Sequence, residues 1–395
     1  MIIPLTPSPI AVRHGKEMDA TKPFIRHPTS DSSEFALYQG LIMKRDDIIN
    51  QILPEAAFPL WVPLLTHYRK EAGIVRVDPW RMLHQALQVR PFIGFWMMGG
   101  TTGDGWALSD AAFPALVEFT LSREVSQLNA RRLIGVLRPT TEQVLARIRQ
   151  VHHSLGLSSA VSLQDALSVL AQRGLVGITV CPPVGEEVTQ EQILAHYGEI
   201  CEAARMPVVV YQLPQVTGNQ ITPDTMNRLV AERQEIILFK DSSGTDIVAK
   251  QGLSAGNVAL LRGAEGDYVE ALKPLGGYDG FLLSTGNTLG RQLRTLIAHV
   301  QAGHTTEAMA CSTALTRLVQ ALFAAVKDAP AGNAFSNANR AVDHLLAYGR
   351  GWRNHALPLL IDGTFLPEPI VAKVAVILEK ERMITESGYL DHHGE

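Results

Sequence analysis

The chain has 395 residues, of which 46% are hydrophobic and 19% are charged, and its formal net charge is −4. These values predict a soluble globular protein with an ample core, made of one large domain with extensions or of two domains. The small negative charge gives no electrostatic reason to expect binding to nucleic acid or to an anionic membrane surface. The sequence also lacks the run of about 18 apolar residues that a membrane-spanning helix needs.

The cysteines and the amino terminus indicate the cellular compartment. Three scattered cysteines, Cys181, Cys201 and Cys311, form no CxxC pair, which argues against a disulfide framework and for a reducing environment. Residues 1–9 are interrupted by prolines and lack the apolar core of a signal peptide. No spacing typical of zinc ligands and no Walker lysine is present. We therefore expect a cytoplasmic protein that uses neither a metal nor a cofactor.

Residues 1–56 form a predicted N-terminal arm. The first 50 or so are polar and contain several prolines, and a helix-like pattern runs from Ser33 to Leu53. We expect this arm to be loosely packed or to contact another subunit, with no chemistry of its own.

Eight short apolar runs follow the arm, separated by amphipathic segments with helix start signals. The runs that predict strands are Leu60–Thr66, Phe92–Met98, Leu133–Leu137, Val176–Cys181, Val208–Gln212, Ile236–Lys240, Val258–Arg262 and Gly280–Ser284. Thr189 and Gln192 have capping-box spacing, and Thr222 precedes a proline at the first position of a predicted helix. Eight strand–helix repeats predict a (β/α)₈ TIM barrel, whose usual size is about 250 residues. The alternative is an open doubly wound sheet, which the missing glycine fingerprint after the first strand disfavours.

We assign the barrel to residues 57–303 and a helical extension to residues 304–395. The extension has predicted helices near residues 305–327, 334–348 and 367–381. We expect them to pack beside the barrel as a cap or appendage. Within the barrel, Gly156–Gln172 is longer than a helix-to-strand connection requires and predicts an inserted helical turn or loop.

Lys240 is the first candidate for chemistry. It ends a run of four apolar residues that is too short for a helix and is typical of a strand buried on both faces. A partly desolvated amine at that position has a lowered pKa and can attack a carbonyl to form an imine. The alternative is that Lys240 only marks where the strand meets water.

The ends of other predicted strands supply further polar groups, because the site of a TIM barrel is built at the carboxyl ends of its strands. The segments found there are Gly99-Gly-Thr-Thr-Gly-Asp104, Tyr211-Gln-Leu-Pro214, Arg262-Gly263 and Ser284-Thr-Gly-Asn287. An amine, a phenol and a glycine-framed pair of hydroxyls are therefore predicted to meet at one face. The alternatives are an ordinary strand-end tyrosine at Tyr211 and a tight turn without ligand at the glycine loop.

Four segments carry a resemblance to a known family. They are Gly100–Asp104, Tyr211–Pro214 with Thr217-Gly218, Ile237–Gly244 and Gly280–Asn287. In this order and at this spacing the chain resembles the dihydrodipicolinate synthase / N-acetylneuraminate lyase family of class I, Schiff-base aldolases and dehydratases. The resemblance covers roughly Phe58 to His299.

The resemblance implies a role for each candidate. Lys240 would form an imine with a 2-oxo acid such as pyruvate, and the protonated imine would then withdraw electrons from the neighbouring carbon. Tyr211 would act as general acid and base, while Thr101 and Thr102 would hold the carboxylate with backbone N–H groups of their loop. The predicted substrate-binding set is Gly100, Thr101, Thr102, Gly263 and Ser284. The family also implies a homo-oligomer, either a dimer or a tetramer.

Departures from the family pattern affect the second-substrate half of the site. Cys181-Pro182-Pro183-Val184 stands where members that make dihydrodipicolinate have Pro-Tyr-Tyr, and Val216 stands where they carry an arginine. Arg262 is the residue that could replace this arginine. We therefore expect an aldolase or dehydratase acting on pyruvate or a keto-deoxy sugar acid, and not dihydrodipicolinate synthase itself. The alternative is a catalytically idle barrel that binds a carboxylate or scaffolds an oligomer.

Overall fold

Eight parallel strands close into a barrel in a computed structural model that describes residues 43–53, 59–254 and 256–391. The barrel strands are β1 (Leu60–Pro63), β4 (Phe95–Met98), β5 (Arg131–Gly135), β6 (Leu175–Val180), β7 (Val208–Gln212), β8 (Ile236–Asp241), β9 (Ala259–Arg262) and β10 (Gly280–Leu282). The ring closes because β1 pairs with both β4 and β10. The predicted (β/α)₈ barrel is confirmed, with strand bounds that differ from the predicted ones by at most three residues.

The helices alternate with these strands and continue after the last one. In chain order they are α1 (Arg45–Ile52), α2 (Pro79–Val89), α3 (Phe113–Leu121), α4 (Arg123–Gln127), α5 (Thr141–Leu155), α6 (Leu163–Gln172), α7 (Gln190–Ala204), α8 (Pro214–Thr217), α9 (Pro223–Glu232), α10 (Ile247–Gln251), α11 (Tyr268–Ala271), α12 (Gly286–Gln301), α13 (Thr305–Ala325), α14 (Ala334–Tyr348) and α15 (Glu368–Lys380), with a 3₁₀ helix at Gly349–Asn354 between the last two. The predicted capping box of Thr189 and Gln192 opens α7, and Thr222 caps α9.

A short antiparallel hairpin after β1 was not predicted. Its strands are β2 (Tyr68–Glu71) and β3 (Ile74–Val77). The two residues between them, Ala72 and Gly73, both have positive φ, as a tight hairpin turn requires. Most of the hairpin's side chains are exposed or half-buried, so its sequence lacks the apolar run by which the barrel strands were identified.

The amino-terminal end of the barrel is closed by α1. Ile48 and Ile52 of this helix are fully buried and belong to the hydrophobic cluster that fills the barrel interior. The guanidinium of Arg45 donates from Nε to the carbonyl oxygen of Ile236, the first residue of β8, at 2.6 Å. This part of the predicted arm is therefore firmly packed, contrary to the expectation of loose packing, because its apolar face covers the open end of the barrel. Residues 1–42 and 54–58 lie outside the described residues.

The insertion predicted at Gly156–Gln172 contains α6, which packs against α1 at the same end of the barrel. Leu167 of α6 is fully buried in the interior cluster. The predicted helical insertion is thus confirmed, and together the two helices form the floor of the barrel.

The three helices predicted after residue 303 are confirmed as α13, α14 and α15. By length and composition alone α13 is apolar enough to cross a membrane. Its residues Leu315, Leu318 and Leu322, however, are buried in the main hydrophobic core. Core helices of globular proteins pass the same test of length and composition, and one face of α13 packs in this way.

Candidate active site

Lys240 projects into the barrel mouth from β8, where its Cα partners are Tyr211 on β7 and Leu261 on β9. The residue is only 3% exposed, and its Nζ lies 3.8 Å from the centroid of the Tyr211 ring. Among the described residues, no carboxylate lies within 4 Å of this amine. Burial lowers the pKa of Lys240 to about 7, although Cys181 and Glu265 oppose the shift. A substantial fraction of the amine is therefore neutral, and nucleophilic, near neutral pH.

Tyr211, the predicted acid–base residue, lies beside this amine. Its hydroxyl lies 3.2 Å from Oγ1 of Thr101, and the indole Nε1 of Trp106 donates to the same Oγ1 at 3.3 Å. Burial raises the pKa of Tyr211, while hydrogen bonds with Thr101 and Ser242 act in the opposite direction. The phenol therefore keeps its proton at neutral pH and is available as an acid.

The loop after β4 carries the predicted carboxylate-binding residues. The N–H groups of Thr101 and Thr102 make no hydrogen bond within the described part of the chain, although both residues are buried. Gly100 serves the turn itself, because its carbonyl accepts from the N–H of Gly105 at 2.9 Å. A Cβ on Gly105 would lie 1.8 Å from the carbonyl oxygen of Gly99, so this turn excludes any larger residue there.

These groups surround a cavity of about 290 Å³ at the carboxyl ends of the strands. The predicted site residues that line it are Thr101, Thr102, Tyr211, Lys240, Gly263 and Ser284. Gly100 is absent from the lining. Gly263 has a steric reason to be glycine, because a Cβ there would lie 2.9 Å from Cε of Lys240 and would obstruct the lysine. Among the described residues, no three His, Cys, Asp or Glu side chains cluster to hold a metal ion.

Glu265 is a cavity residue that the sequence analysis missed. Its carboxylate accepts hydrogen bonds from the hydroxyls of Ser284, Tyr268 and Thr285 and from the N–H of Thr285, at 2.8–3.2 Å. Burial raises the pKa of Glu265, and these donors act against the rise. Its position in the sequence could have marked it as a candidate, because it lies three residues beyond the end of the seventh predicted strand.

Helices of the C-terminal extension complete the cavity wall. Residues from α13 and α14 that line it are Thr316, Val319, Gln320, Phe323 and Phe335. The extension was expected to pack beside the barrel, and the structure shows that it also covers part of the site. No local sequence pattern marks these residues, because they lie on ordinary amphipathic helices.

The same extension anchors the loop after β4, which carries the predicted substrate-binding residues Thr101 and Thr102. Ser336 of α14 donates from Oγ to the carbonyl oxygen of Thr102 at 2.9 Å. Arg340, one turn further along α14, forms a buried ion pair with Asp104 and donates to the carbonyl oxygen of Thr66 at 2.8 Å. Asp104 also accepts from the hydroxyl of Tyr68 at 2.9 Å. The loop is therefore held from both sides by groups that do not line the cavity containing Lys240.

Comparison with known proteins identifies the family. Residues 97–336, more than half of the chain, match the profile of the dihydrodipicolinate synthetase family. The chain belongs to this family. Family membership makes it one of a group of Schiff-base, aldolase-like lyases. The resemblance seen in the sequence is thereby confirmed.

Individual relatives are distant. The chain is 27% identical to 4-hydroxy-tetrahydrodipicolinate synthase 1 of Streptomyces coelicolor, over 64% of this chain and 75% of the relative. It is 26% identical to the enzyme of that name from Agrobacterium fabrum, over 57% of this chain and 69% of the relative.

Solved structures show the same fold. The family member YagE, a prophage protein of E. coli K12 in complex with pyruvate, superposes with a TM-score of 0.64 at 18% identity, covering 83% of this chain and all of YagE. KD(P)GA from T. tenax superposes with a TM-score of 0.61 at 17% identity, covering 82% of this chain and 99% of its own.

Val216, which stands where the dihydrodipicolinate-forming members carry an arginine, contributes nothing to the cavity. Val216 is 39% exposed and is absent from the cavity lining. Arg262 does not take the place of the missing arginine, because its guanidinium forms an ion pair with Asp246 at 3.3 Å and donates to the carbonyl oxygens of Ala264 and Gly266. Among the described residues, no guanidinium lines the cavity of this family member.

Proposed function

We propose that this protein is a class I lyase, an aldolase or dehydratase, that forms an imine between Lys240 and a 2-oxo acid such as pyruvate or a keto-deoxy sugar acid. The observation that carries the proposal is the buried, unpaired amine of Lys240 against the ring of Tyr211 in an open cavity. The proposed reaction requires no cofactor, since the iminium itself supplies the electron sink.

The geometry supports a role for each group in the first steps. Lys240 Nζ attacks C2 of the 2-oxo acid, and the former carbonyl oxygen leaves as water after it is protonated. Tyr211 supplies that proton and later accepts the one released when the substrate's hydroxyl becomes a carbonyl. The N–H groups of Thr101 and Thr102 have no hydrogen-bond acceptor in the described chain, so they are available to the carboxylate beside C2.

Borohydride trapping tests the proposal. The protein is reduced in the presence of pyruvate and other 2-oxo acids, and adducts are measured by intact mass and mapped by peptide mass spectrometry. We expect one adduct per chain on Lys240, its loss in Lys240→Arg, and its retention in Lys250→Arg, a matched change of an exposed lysine. Labelling of another lysine, or of none with any 2-oxo acid, contradicts the proposal and favours the catalytically idle barrel.

We further propose that the protein is not a dihydrodipicolinate synthase, although the relatives described above carry that activity in their names. The second substrate of that reaction bears a carboxylate, for which a bidentate arginine is suited, and Arg262 is turned away toward Asp246. Losing a charged partner of a desolvated group costs on the order of 2–5 kcal/mol, or roughly 30- to several thousand-fold in kcat/KM. Robust condensation of pyruvate with aspartate semialdehyde by the wild type refutes this proposal.

Oligomeric state and cellular location remain predictions. We propose a homo-oligomer, a dimer or tetramer, as the family resemblance implies, in the cytoplasm. Sedimentation velocity of the full chain over a range of concentrations measures the assembly, and a monomer at all concentrations contradicts it.

A further inference from the structure

Glu265 places a carboxylate in the cavity wall, and the N–H and hydroxyl donors around it favour its charged form. Among the described residues that line the cavity, it supplies the only carboxylate and Lys240 the only amine. It follows Gly263, whose backbone lies against Cε of Lys240, so that the carboxylate and the amine share one small space. The four donors from Ser284, Thr285 and Tyr268 hold the carboxylate in place.

We infer that Glu265 is a specificity-determining residue, which selects for substrates whose distal end is neutral and against those that carry a second carboxylate there. This inference rests on the proposed imine chemistry of Lys240. It concerns the part of the ligand beyond C3, whereas the carboxylate beside C2 is assigned to the Thr101–Thr102 loop.

The charge balance of the occupied cavity supports the selection. An iminium on Lys240 and the carboxylate beside it cancel each other, so Glu265 leaves the cavity with one negative charge. A second substrate carboxylate would raise this to two, and the described lining offers no guanidinium to neutralise it. A like charge about 6–10 Å away, at an effective dielectric constant of about 20, lowers affinity by roughly 10- to 100-fold.

The remaining wall suits a neutral, hydroxylated group. Gln215, Ser243, Thr316 and Gln320 present amides and hydroxyls, which donate to and accept from hydroxyl groups. Phe323 on α13 adds an apolar contact surface near them. These side chains carry no charge that would favour a distal carboxylate or phosphate.

A matched pair of 2-oxo acids tests the inference without requiring turnover. 2-Oxopentanoate and 2-oxoglutarate have the same five-carbon chain and differ in a distal methyl or carboxylate. The concentration of each acid that gives half-maximal borohydride trapping on Lys240 is measured for the wild type, Glu265→Gln and Glu265→Asp. Glu270→Gln, a change of an exposed glutamate on α11, is the control.

The wild type is expected to trap 2-oxopentanoate at lower concentration than 2-oxoglutarate. Glu265→Gln should reduce that preference by roughly 10- to 100-fold, while Glu265→Asp and Glu270→Gln should retain it. A preference that Glu265→Gln leaves unchanged overturns the inference, as does equal loss of preference in Glu265→Asp, which indicates a steric role. If Glu265→Gln melts early, Glu265→Met provides the neutral variant.

The outcomes separate this inference from the proposed function. Absence of trapping with both acids and with pyruvate in the wild type contradicts the imine proposal and, with it, the role of Glu265. Trapping of pyruvate but of neither five-carbon acid retains the imine proposal and rejects the selection by Glu265. Trapping of both acids with no dependence on residue 265 retains the imine proposal and rejects only the charge selection.

Discussion

Two buried sites of charge near the carboxyl ends of the barrel strands differ in how their charges are paired. Asp104 and Arg340 form a direct ion pair, and Asp104 receives further hydrogen bonds from Tyr68 and Ser336. Lys240 is equally buried, yet no carboxylate in the described chain lies within 4 Å of it. The charges of Asp104 and Arg340 therefore neutralise each other, whereas the amine of Lys240 has no neutralising partner in the described chain.

The difference is visible in the direction of the pKa shifts. Burial acts to lower the pKa of both Arg340 and Lys240, but Asp104, Tyr68 and Asp343 together outweigh burial and raise the pKa of Arg340. Lys240 lacks such a partner, and its pKa falls to about 7. The paired buried charge therefore fixes the loop, while the lowered pKa of the unpaired amine supports its proposed role as a nucleophile. Five predictions follow from this comparison, from the largest expected effect to the smallest.

Lys240→Met should abolish activity and imine trapping. Loss of a covalent nucleophile lowers kcat by roughly 10⁴-fold or more. The free energy of unfolding, measured in urea at pH 7, should not decrease, because methionine fills similar space without a desolvated amine. A strongly destabilised variant would show that Lys240 serves the fold.

Tyr211→Phe should lower turnover by roughly 10²–10⁴-fold, the contribution of a positioned acid–base group. The ring that packs beside Lys240 is kept and only the hydroxyl next to Thr101 is lost, so the melting temperature should stay near that of the wild type. Steady-state kinetics and thermal melting check both statements. Full activity in a natively folded variant would falsify the acid–base role.

Arg340→Met should leave Asp104 buried without its cation and lower the free energy of unfolding by about 3–5 kcal/mol. Urea unfolding measures this change. Arg317→Met is the control, since the Arg317–Glu381 pair is exposed and contributes about 1 kcal/mol or less. Equal effects of the two substitutions would contradict a structural role specific to the buried pair.

The rate of imine formation should depend on pH through Lys240. Because the neutral amine reacts, kcat/KM should fall about tenfold per pH unit below about 7 and level off above it. If kcat/KM instead begins to fall below the ordinary lysine pKa of 10.5, the lowered pKa of Lys240 is contradicted. Rates of trapping with pyruvate, measured between about pH 5.5 and about pH 9, locate this pH dependence.

The free energy of unfolding should also depend on pH, because the pKa of Lys240 is lower in the folded chain than in the unfolded chain. Between pH about 7 and 10.5 the unfolded chain binds a proton at Lys240 that the folded chain does not, so this group's contribution makes stability rise with pH over that window. Below about 7 both states carry the proton and the contribution is constant. Lys240→Met should remove this part of the pH dependence.

The sequence alone determined the barrel, and it also predicted the residues now proposed for the imine-forming part of the site. Each barrel strand is a short apolar run, and parallel strands in a closed barrel bring their carboxyl ends to one face. Lys240, Tyr211 and the Thr101–Thr102 loop were therefore identifiable from their positions at strand ends and from their spacing, without any knowledge of long-range contacts.

Only the tertiary structure decided which other parts of the molecule surround Lys240, Tyr211 and the Thr101–Thr102 loop. The pairing of Asp104 with Arg340 joins residues 236 positions apart, and α1 covers the floor of the barrel from the other end of the chain. Glu265 and the cavity residues of α13 lie in segments whose local patterns resemble any loop or amphipathic helix. Such contacts depend on how helices pack in three dimensions, which periodicity in the sequence does not encode.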